Sequence, residues 1–226
     1  MNAARSVILM LVGLIIPAFL VVLWLSSAKA SLENAKDAAS DVAIASAAED
    51  DYCTPKLKQI LRRVAGACGL LQEGGRGCKP TDAKQVAALS GEDFNALFKP
   101  LSHRAKLIQF DSEQVELDVG GQTTVDSAWS DQRGASFFFV VARASADGDA
   151  VFNQQLSQKR AEAVLTHLEQ KFQDPDLKQE VGLLWLGEEY AQLGEEFCTW
   201  GRSREGECTV LDINRSAFVA WIDCAI

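Results

Sequence analysis

Apolar and polar positions divide the 226-residue chain into a short apolar beginning and a long mixed remainder. Residues 7–25 form an uncharged, almost wholly apolar run. At about 1.5 Å per residue, a helix of that length reaches about 28 Å, close to the hydrocarbon core of a bilayer. The pattern predicts a tail at residues 1–6 and a transmembrane helix at residues 7–26. Ala28-Lys29-Ala30 also suits cleavage of a signal peptide after Ala30, but the apolar run is longer than a signal peptide needs.

Residues 27–51 are rich in alanine and charged residues and contain neither glycine nor proline. Small and apolar positions recur there at the steps of four and three of a heptad seam: Ala28, Leu32, Ala35, Ala39, Val42 and Ser46. We predict a helical stalk, which is either a solvated spacer or a dimerising neck, since small seam residues bury little apolar surface. Arg5 precedes the membrane run and acids accumulate after it, so the positive-inside rule places the N-terminus in the cytoplasm.

Residues 52–101 have the pattern of a small helical module. Thr54 and Pro55 suit the cap and first turn of its first helix. The apolar face of that helix consists of Leu57, Ile60, Leu61, Val64 and Cys68. Thr81 or Asp82 is predicted to begin a second helix, and the capping box Ser90-x-x-Asp93 a third that closes at Pro100. So small a module has too little apolar mass to be stable alone, and we expect it to pack on the rest of the chain or be stapled to it.

Residues 102–226 alternate between strand and helix patterns. Phe137–Ala142 is a continuous apolar run, typical of a central strand buried on both faces. Further strands are predicted at residues 107–110, 115–119, 182–186 and 217–222, with a short helix at 123–132. The alternation indicates an α/β fold with two layers.

The longest helix pattern runs from residue 153 to about residue 172 and ends before Asp174-Pro175. Its buried stripe consists of Ala161, Val164, Leu165 and Leu168. Asn153 and Ser157 both suit its N-cap, which places Arg160 near the positive end of the helix dipole. Because a cation there opposes the dipole, we predict that Arg160 meets an anion.

Composition and motifs argue against catalysis, nucleic-acid binding and metal binding. The formal net charge of −9 disfavours nucleic acid and anionic membrane surfaces as partners. His103 and His167 lack a nucleophile motif such as G-x-S-x-G and are interpreted as solvated or satisfied, so we predict neither a catalytic residue nor a cofactor. An acidic loop is interpreted as a solvated patch rather than as paired catalytic carboxylates: Glu188, Glu189, Glu195 and Glu196.

The chain has 6 cysteines, none in a C-x-x-C pair, and only 2 histidines, which disfavours a zinc site. An even number of cysteines after a membrane anchor indicates disulfides formed in an oxidising compartment. Cys68 and Cys78 are close in sequence and flank a glycine-rich break at residues 74–77.

Five motifs in order resemble the OmpA-like peptidoglycan-associated domain, of the OmpA C-terminal, MotB and Pal type. The central motif is Asn153-x-x-Leu156-Ser157-x-x-Arg160-Ala161-x-x-Val164, which resembles the family's helix. The others are LIQFDSEQVELD at residues 107–118, the strand at residues 137–144, Trp185-Leu186-Gly187-Glu188-Glu189, and Asn214-Arg215 at the start of the last strand. The resemblance covers about residues 105–224, and it implies an α+β sandwich in which βαβ units pack helices on a mixed sheet, as a periplasmic domain at residues 102–226.

The resemblance also implies a binding site for the diaminopimelate of the peptidoglycan stem peptide. In the family, an aspartate before the helix binds the ammonium, and the helix arginine with nearby backbone N–H groups binds the carboxylate. Arg160 matches the arginine, whereas Ser145 stands at the aspartate position, so Asp147 or Asp149 would have to replace it. Arg215 either orients the pocket or forms a structural salt bridge. The predicted peptidoglycan-binding residues are Arg160, Asn153, Asp147, Ser145, Leu156 and Arg215.

The loop before the last strand resembles one in which some OmpA-like domains carry a disulfide, which implies a Cys198–Cys208 bond. With Cys68–Cys78 as a local pair, Cys53 and Cys224 remain to tie the end of the stalk to the C-terminal strand. Alternatively, Cys53 bridges two copies of the chain.

The layout of short tail, single span and OmpA-like domain resembles that of MotB-type stator subunits, but the span lacks their proton-accepting aspartate, so the chain is not expected to conduct protons. The resulting hypothesis is a non-enzymatic, single-pass protein of the bacterial inner membrane, a homodimer whose periplasmic domain tethers a membrane complex to peptidoglycan, with a possible multi-span partner. The alternative is an assembly subunit of a motility, secretion or defence complex, in which the OmpA-like fold is a scaffold and the ligand site has decayed.

Overall fold

The computed structural model describes residues 52–67, 81–82, 91–131 and 137–224. The predicted transmembrane helix, the stalk and the Cys68–Cys78 pair lie outside the described residues. Within the described ranges, no helix is long and apolar enough to span a bilayer.

The described part contains six α-helices, six strands and two 3₁₀ turns. The helices are α1 (Pro55–Ala67), α2 (Gly91–Phe98), α3 (Val119–Ser130), α4 (Ala150–Phe172), α5 (Leu177–Glu180) and α6 (Val210–Asn214). The strands are β1 (Thr81–Asp82), β2 (Lys106–Gln109), β3 (Phe137–Ala142), β4 (Val181–Trp185), β5 (Gly201–Arg202) and β6 (Ser216–Ile222). The 3₁₀ turns cover Lys99–Leu101 and Glu195–Thr199.

The six strands form one mixed sheet with the order β1-β4-β3-β6-β2-β5. Strand β6 is antiparallel to both of its neighbours, β3 and β2, whereas β4 is parallel to β3. The carboxyl ends of β2, β3 and β4 and the amino end of β6 therefore meet at one edge of the sheet. The predicted mixed α/β fold is confirmed at this level.

Helices cover both faces of the sheet. Within residues 102–226, α3 and α4 form with the sheet the two predicted layers, and α1 and α2 of the preceding module add a third. The side chains of β3 alternate between two cores: Phe137, Phe139 and Val141 lie in the first, and Phe138, Val140 and Ala142 in the second. Helices α1 and α2 pack on the first core, and α3 and α4 on the second. A strand that is apolar on both faces needs cover on both, and α1 and α2 cover the first core. In return, the sheet buries the apolar side chains of these helices, which a small module could not bury alone.

Two segments show features that were not predicted. Thr81 and Asp82, either of which was predicted to cap a short helix, form the edge strand β1 opposite Leu184 and Trp185 of β4, and the helix predicted after them lies outside the described residues. Residues 115–118, expected to be a strand, are irregular because helix α3 begins at Val119, four residues earlier than predicted. The Asp118 carboxylate caps that helix by accepting a hydrogen bond of 2.6 Å from the Gly121 N–H.

Helix α4 also begins earlier than predicted, at Ala150 rather than Asn153. Asp149 is its N-cap and accepts a hydrogen bond of 2.9 Å from the Phe152 N–H. Arg160 consequently lies about three turns inside the helix. The reason given for an anion partner, a cation at the positive helix end, does not apply at that depth, since the dipole effect is confined to the first turn.

Replacing Asp149 by alanine is expected to lower the free energy of unfolding by about 1 kcal/mol, because one N–H of the first turn loses its acceptor. Asp149→Asn keeps a capping oxygen and is expected to stay near the wild type. Urea denaturation of the three proteins measures the difference. Equal unfolding midpoints for wild type and Asp149→Ala would show that the cap contributes nothing.

Disulfides join two distant pairs of cysteines. Cys53 bonds Cys224, with Cα atoms 5.5 Å apart, and Cys198 bonds Cys208, with Cα atoms 5.9 Å apart. The first bond ties the residues before α1 to the end of β6, as expected if the N-terminal module is stapled to the sheet. Since Cys53 is paired within the chain, the alternative bridge between two copies does not form through it.

Candidate functional site

The six predicted binding residues line a single pocket of about 130 Å³ at the edge of the sheet where β2 and β3 end. The lining residues from the prediction are Ser145, Asp147, Asn153, Leu156, Arg160 and Arg215. Residues that the sequence analysis did not assign to the site complete the wall: Ser112, Glu113, Gly148, Asp149 and Phe152. The structure thus brings together predicted residues that are up to 70 positions apart, as in Ser145 and Arg215.

Three connections between elements form the pocket. The loop from β3 to α4 contributes Ser145 and Asp147, the turn after β2 contributes Ser112 and Glu113, and Arg215 lies between α6 and β6. Gly148 has a φ of 116°, a conformation that glycine adopts without strain. This turn allows the loop to reverse into the first turn of α4 beside Asn153.

Arg160 forms the buried floor of the pocket. Its side chain has no exposed area, and its guanidinium donates hydrogen bonds to three backbone carbonyls: Gln114 at 2.9 Å, Arg143 at 3.0 Å and Asp111 at 3.0 Å. The predicted partner was an anion, but the partners found are carbonyl oxygens of the turn after β2 and of the end of β3. Arg160 therefore holds two loops of the pocket together.

The three hydrogen bonds do not use every donor of the Arg160 guanidinium. Arginine has five N–H groups in a planar fork, and these three hydrogen bonds use one on each nitrogen, so one N–H on each Nη is left over. The pKa of Arg160 is lowered to about 10, first by burial and then by the nearby Arg215, while Asp147 acts in the opposite direction. The side chain is still a cation at neutral pH.

Arg215 connects Ser145 to Asp147. Its Nε donates to the Ser145 hydroxyl at 3.1 Å, and its Nη2 donates to the Asp147 carboxylate at 2.8 Å. Arg215 thus forms the salt bridge that the sequence analysis left open, with Asp147, and a further hydrogen bond with Ser145. A hydrogen bond from Ser145, followed by those from Arg215, holds the pKa of Asp147 below its ordinary value. The acid beside the pocket is therefore ionised at neutral pH.

Asn153 and Ser157 are support residues rather than helix caps. The Asn153 amide donates to the carbonyls of Ser145 and Asp147, both at 3.2 Å, and to the Glu188 carboxylate. The Ser157 hydroxyl accepts from the Gly187 N–H at 3.0 Å. These bonds fix the loop before α4 and the turn after β4 to the same helix.

Glu188 was interpreted as part of a solvated patch, and that interpretation was wrong for this residue because it accepts from the buried Asn153 amide. The remaining acids of that loop, Glu189, Glu195 and Glu196, are exposed.

One exposed large apolar side chain lines the pocket, that of Phe152. Among the described residues, the exposed large hydrophobic side chains are Val119, Val151, Phe152, Val210 and Leu211. All five lie in the first turns of α3, α4 and α6, and Phe152 is the one among them that lines the pocket. Phe152 precedes Asn153 in the helix motif, and that position was the sequence signal that could have assigned it to the site.

The two histidines lie away from the pocket lining. His167 is within 2.8 Å of the Asp126 carboxylate, on the side of α4 that faces α3, and His103 is exposed. In the ranges that the structure describes, no group of three His, Cys, Asp or Glu side chains is arranged to hold a metal ion.

Comparison with known proteins gives the following matches. No family model and no curated protein sequence matches the chain. The solved structures that are similar to it include the peptidoglycan-associated lipoprotein from Burkholderia pseudomallei, with 19% sequence identity, a TM-score of 0.38, and coverage of 51% of this chain and 89% of that one. Another is the OmpA-like domain of FopA1 from Francisella tularensis subsp. tularensis SCHU S4, with 18% identity, a TM-score of 0.38, and coverage of 50% of this chain and 68% of that one.

The depressed pKa of Asp147 gives a testable titration. Ser145→Ala removes the hydrogen bond that contributes most to the lowering, so the pKa of Asp147 is expected to rise toward its ordinary value of 3.8. In the wild type, the stabilisation from Asp147 is present above the ordinary pKa and is lost as the pH falls through the depressed value. Carboxyl ¹³C NMR titration measures both proteins, with Ser112→Ala as a control that leaves Asp147 unchanged. An identical titration of Asp147 after Ser145→Ala would contradict the assignment.

Proposed function

We propose that this chain is an OmpA-like protein that binds the stem peptide of peptidoglycan non-covalently in this pocket. The observation that carries the proposal is that a cavity of about 130 Å³ is lined by the guanidinium groups of Arg160 and Arg215 and by the ionised carboxylate of Asp147, which Arg215 holds in place. Such an arrangement suits a ligand group that carries both charges close together. The terminal amino-acid group of diaminopimelate has an ammonium and a carboxylate on one carbon.

The carboxylate of the ligand binds the partly exposed guanidinium of Arg215 and is attracted by the positive charge of Arg160 buried beneath it. Hydrogen bonds between a guanidinium and a carboxylate are charge-assisted and stronger than those between neutral groups. Among the salt bridges of the described residues, none joins Arg160 to a carboxylate. A ligand carboxylate therefore compensates the positive charge of this buried side chain.

The ammonium of the ligand binds Asp147, which takes the place of the aspartate that the family has at the position of Ser145. The Asp147 side chain is 44% exposed and is held at the pocket by Arg215 at 2.8 Å. Ser145 takes part by its hydrogen bonds with Arg215 and Asp147 rather than as a charge. The acid that binds the ammonium is thus displaced by two positions relative to the family, and the site keeps both positive and negative groups.

The proposed cellular role follows from the predicted anchor. With residues 7–26 in the bacterial inner membrane and residues 52–226 in the periplasm, binding of the stem peptide tethers a membrane complex to the cell wall, as a homodimer with a possible multi-span partner. The Cys53–Cys224 and Cys198–Cys208 disulfides suit an oxidising compartment.

Calorimetric titration with two soluble tripeptides tests the chemistry of the pocket. We expect a tripeptide that ends in diaminopimelate to bind at least about tenfold more tightly than its lysine counterpart, because lysine has the ammonium without the carboxylate. Equal affinities for the two tripeptides would refute the proposed carboxylate site.

A second candidate is an assembly subunit that binds another protein at the same edge. It is favoured by the exposed side chains of Phe152, in the wall of the pocket, and of the preceding Val151, because exposed apolar patches mark protein interaction sites. Absence of binding to both tripeptides by the folded chain would favour this candidate.

A further inference from the structure

Strand β6 has the pocket at its amino end and the Cys53–Cys224 disulfide at its carboxyl end. Arg215, a pocket residue, immediately precedes Ser216 at one end of the strand. Asp223 and Cys224 immediately follow Ile222 at the other end, and Cys224 is bonded to Cys53. The strand has antiparallel partners on both sides, opposite β3 from Phe137 to Ala142 and opposite β2 from Lys106 to Gln109.

A second set of contacts reinforces the disulfide. The Tyr52 hydroxyl donates to the Asp223 carboxylate, and Arg104 donates to both, at 2.8 Å to Tyr52 and 3.2 Å to Asp223. Tyr52 and the Arg104 side chain are about 5% and 4% exposed. The residues on either side of the Cys53–Cys224 bond are therefore fixed by buried, charge-assisted hydrogen bonds as well.

We propose that the Cys53–Cys224 bond is a mechanical bypass, which carries tension from the N-terminal side of the chain directly into β6 and so to the pocket. This inference rests on the proposed tethering function, since a tether between membrane and cell wall is loaded between these two ends. The covalent path across the disulfide omits the residues between Cys53 and Cys224, a sequence separation of 171.

The direction of the pull explains why β6 resists force better than the segment ahead of β2. Hydrogen bonds between antiparallel strands are perpendicular to the strand axis, so a pull along β6 shears both ladders at once instead of breaking them one at a time. Without the disulfide, the same pull would act on the segment ahead of β2. Its only described strand is the two-residue edge strand β1, which pairs with β4 alone. Two strands paired over so few residues separate at low force, one hydrogen bond at a time from the end.

Pulling the full chain in a nanodisc with optical tweezers tests the bypass without use of peptidoglycan. One handle is attached at the N-terminus, and the other at an azide-bearing amino acid in place of Leu211, which is 46% exposed and lies in α6 just before β6. The wild type is expected to unfold in one high-force event. The Cys53→Ser/Cys224→Ser variant is expected to extend first at low force, by on the order of 150 Å for about fifty released residues.

Two further measurements complete the test. The Cys198→Ser/Cys208→Ser variant lacks the disulfide that lies off the path and is expected to unfold like the wild type. The wild type pulled after chemical reduction is expected to show the low-force extension, which covers the case that the Cys53 and Cys224 variant does not fold. Residues 1–51 lie ahead of the disulfide and extend alike in all of these proteins, so the bypass is overturned if the oxidised wild type shows the additional low-force extension of about fifty residues, or if the reduced protein does not. Failure of the tripeptide titration with a normal force record would instead refute the binding function alone.

Discussion

Arg160→Ala is expected to lower the free energy of unfolding by about 4 kcal/mol, the largest effect of any single substitution at the pocket. The side chain is fully buried and its guanidinium satisfies the carbonyls of Asp111, Gln114 and Arg143. Removing it leaves three acceptors without their donor and opens a cavity against the ring of Phe110, over which the guanidinium lies at 5.1 Å. Chemical denaturation of the variant and the wild type measures the change.

Lys159→Ala is the matched control, since Lys159 is the preceding residue of the same helix and is exposed. It is expected to change the free energy of unfolding by less than about 0.5 kcal/mol. Arg160→Lys keeps the charge but cannot reach three carbonyls with one ammonium, so its stability is expected to fall between the two. If Arg160→Ala is as stable as Lys159→Ala, the three hydrogen bonds do not support the fold. A consequence for binding studies is that loss of binding by Arg160→Ala alone does not identify a ligand contact.

The second large effect is expected from the Cys53→Ser/Cys224→Ser variant, with a loss of up to about 5 kcal/mol. The disulfide closes a loop with a sequence separation of 171, whereas Cys198–Cys208 closes one of 10. In the chain-entropy account the cost rises with the logarithm of loop length, so removal of the short-loop disulfide is expected to cost about 3 kcal/mol. Thermal or urea unfolding of the two double variants measures the order of the effects. A larger loss for Cys198→Ser/Cys208→Ser would contradict this account.

The sequence predicted the elements whose pattern is set locally. Strand Phe137–Ala142 and helix Pro55–Ala67 follow from a continuous apolar run and from a Thr-Pro start with one apolar face. Element boundaries were less predictable where two caps compete. Asp149 caps α4 four residues before Asn153, since nothing in the local pattern ranks an aspartate above an asparagine.

Features that depend on tertiary contacts were beyond the sequence pattern. Thr81 and Asp82 form a strand only because the edge of β4 is available to pair with them. The first core needs residues from both predicted domains, and periodicity does not show which face of the sheet a helix covers. The site residues were predictable as a set through the family resemblance. Their contacts were not, since the three carbonyl partners of Arg160 lie 17 to 49 positions away.

The central claim, that the pocket binds peptidoglycan, is tested most directly by co-sedimentation of the full-length protein in detergent with purified sacculi under oxidising conditions. Wild type and Lys159→Ala are expected to sediment with the sacculi. Arg215→Ala is expected to stay in solution while folded, because the partly exposed Arg215 side chain holds Asp147 and the ligand carboxylate rather than the core. A folded wild type that stays in solution, or an Arg215→Ala variant that sediments as fully as the wild type, would contradict the claim.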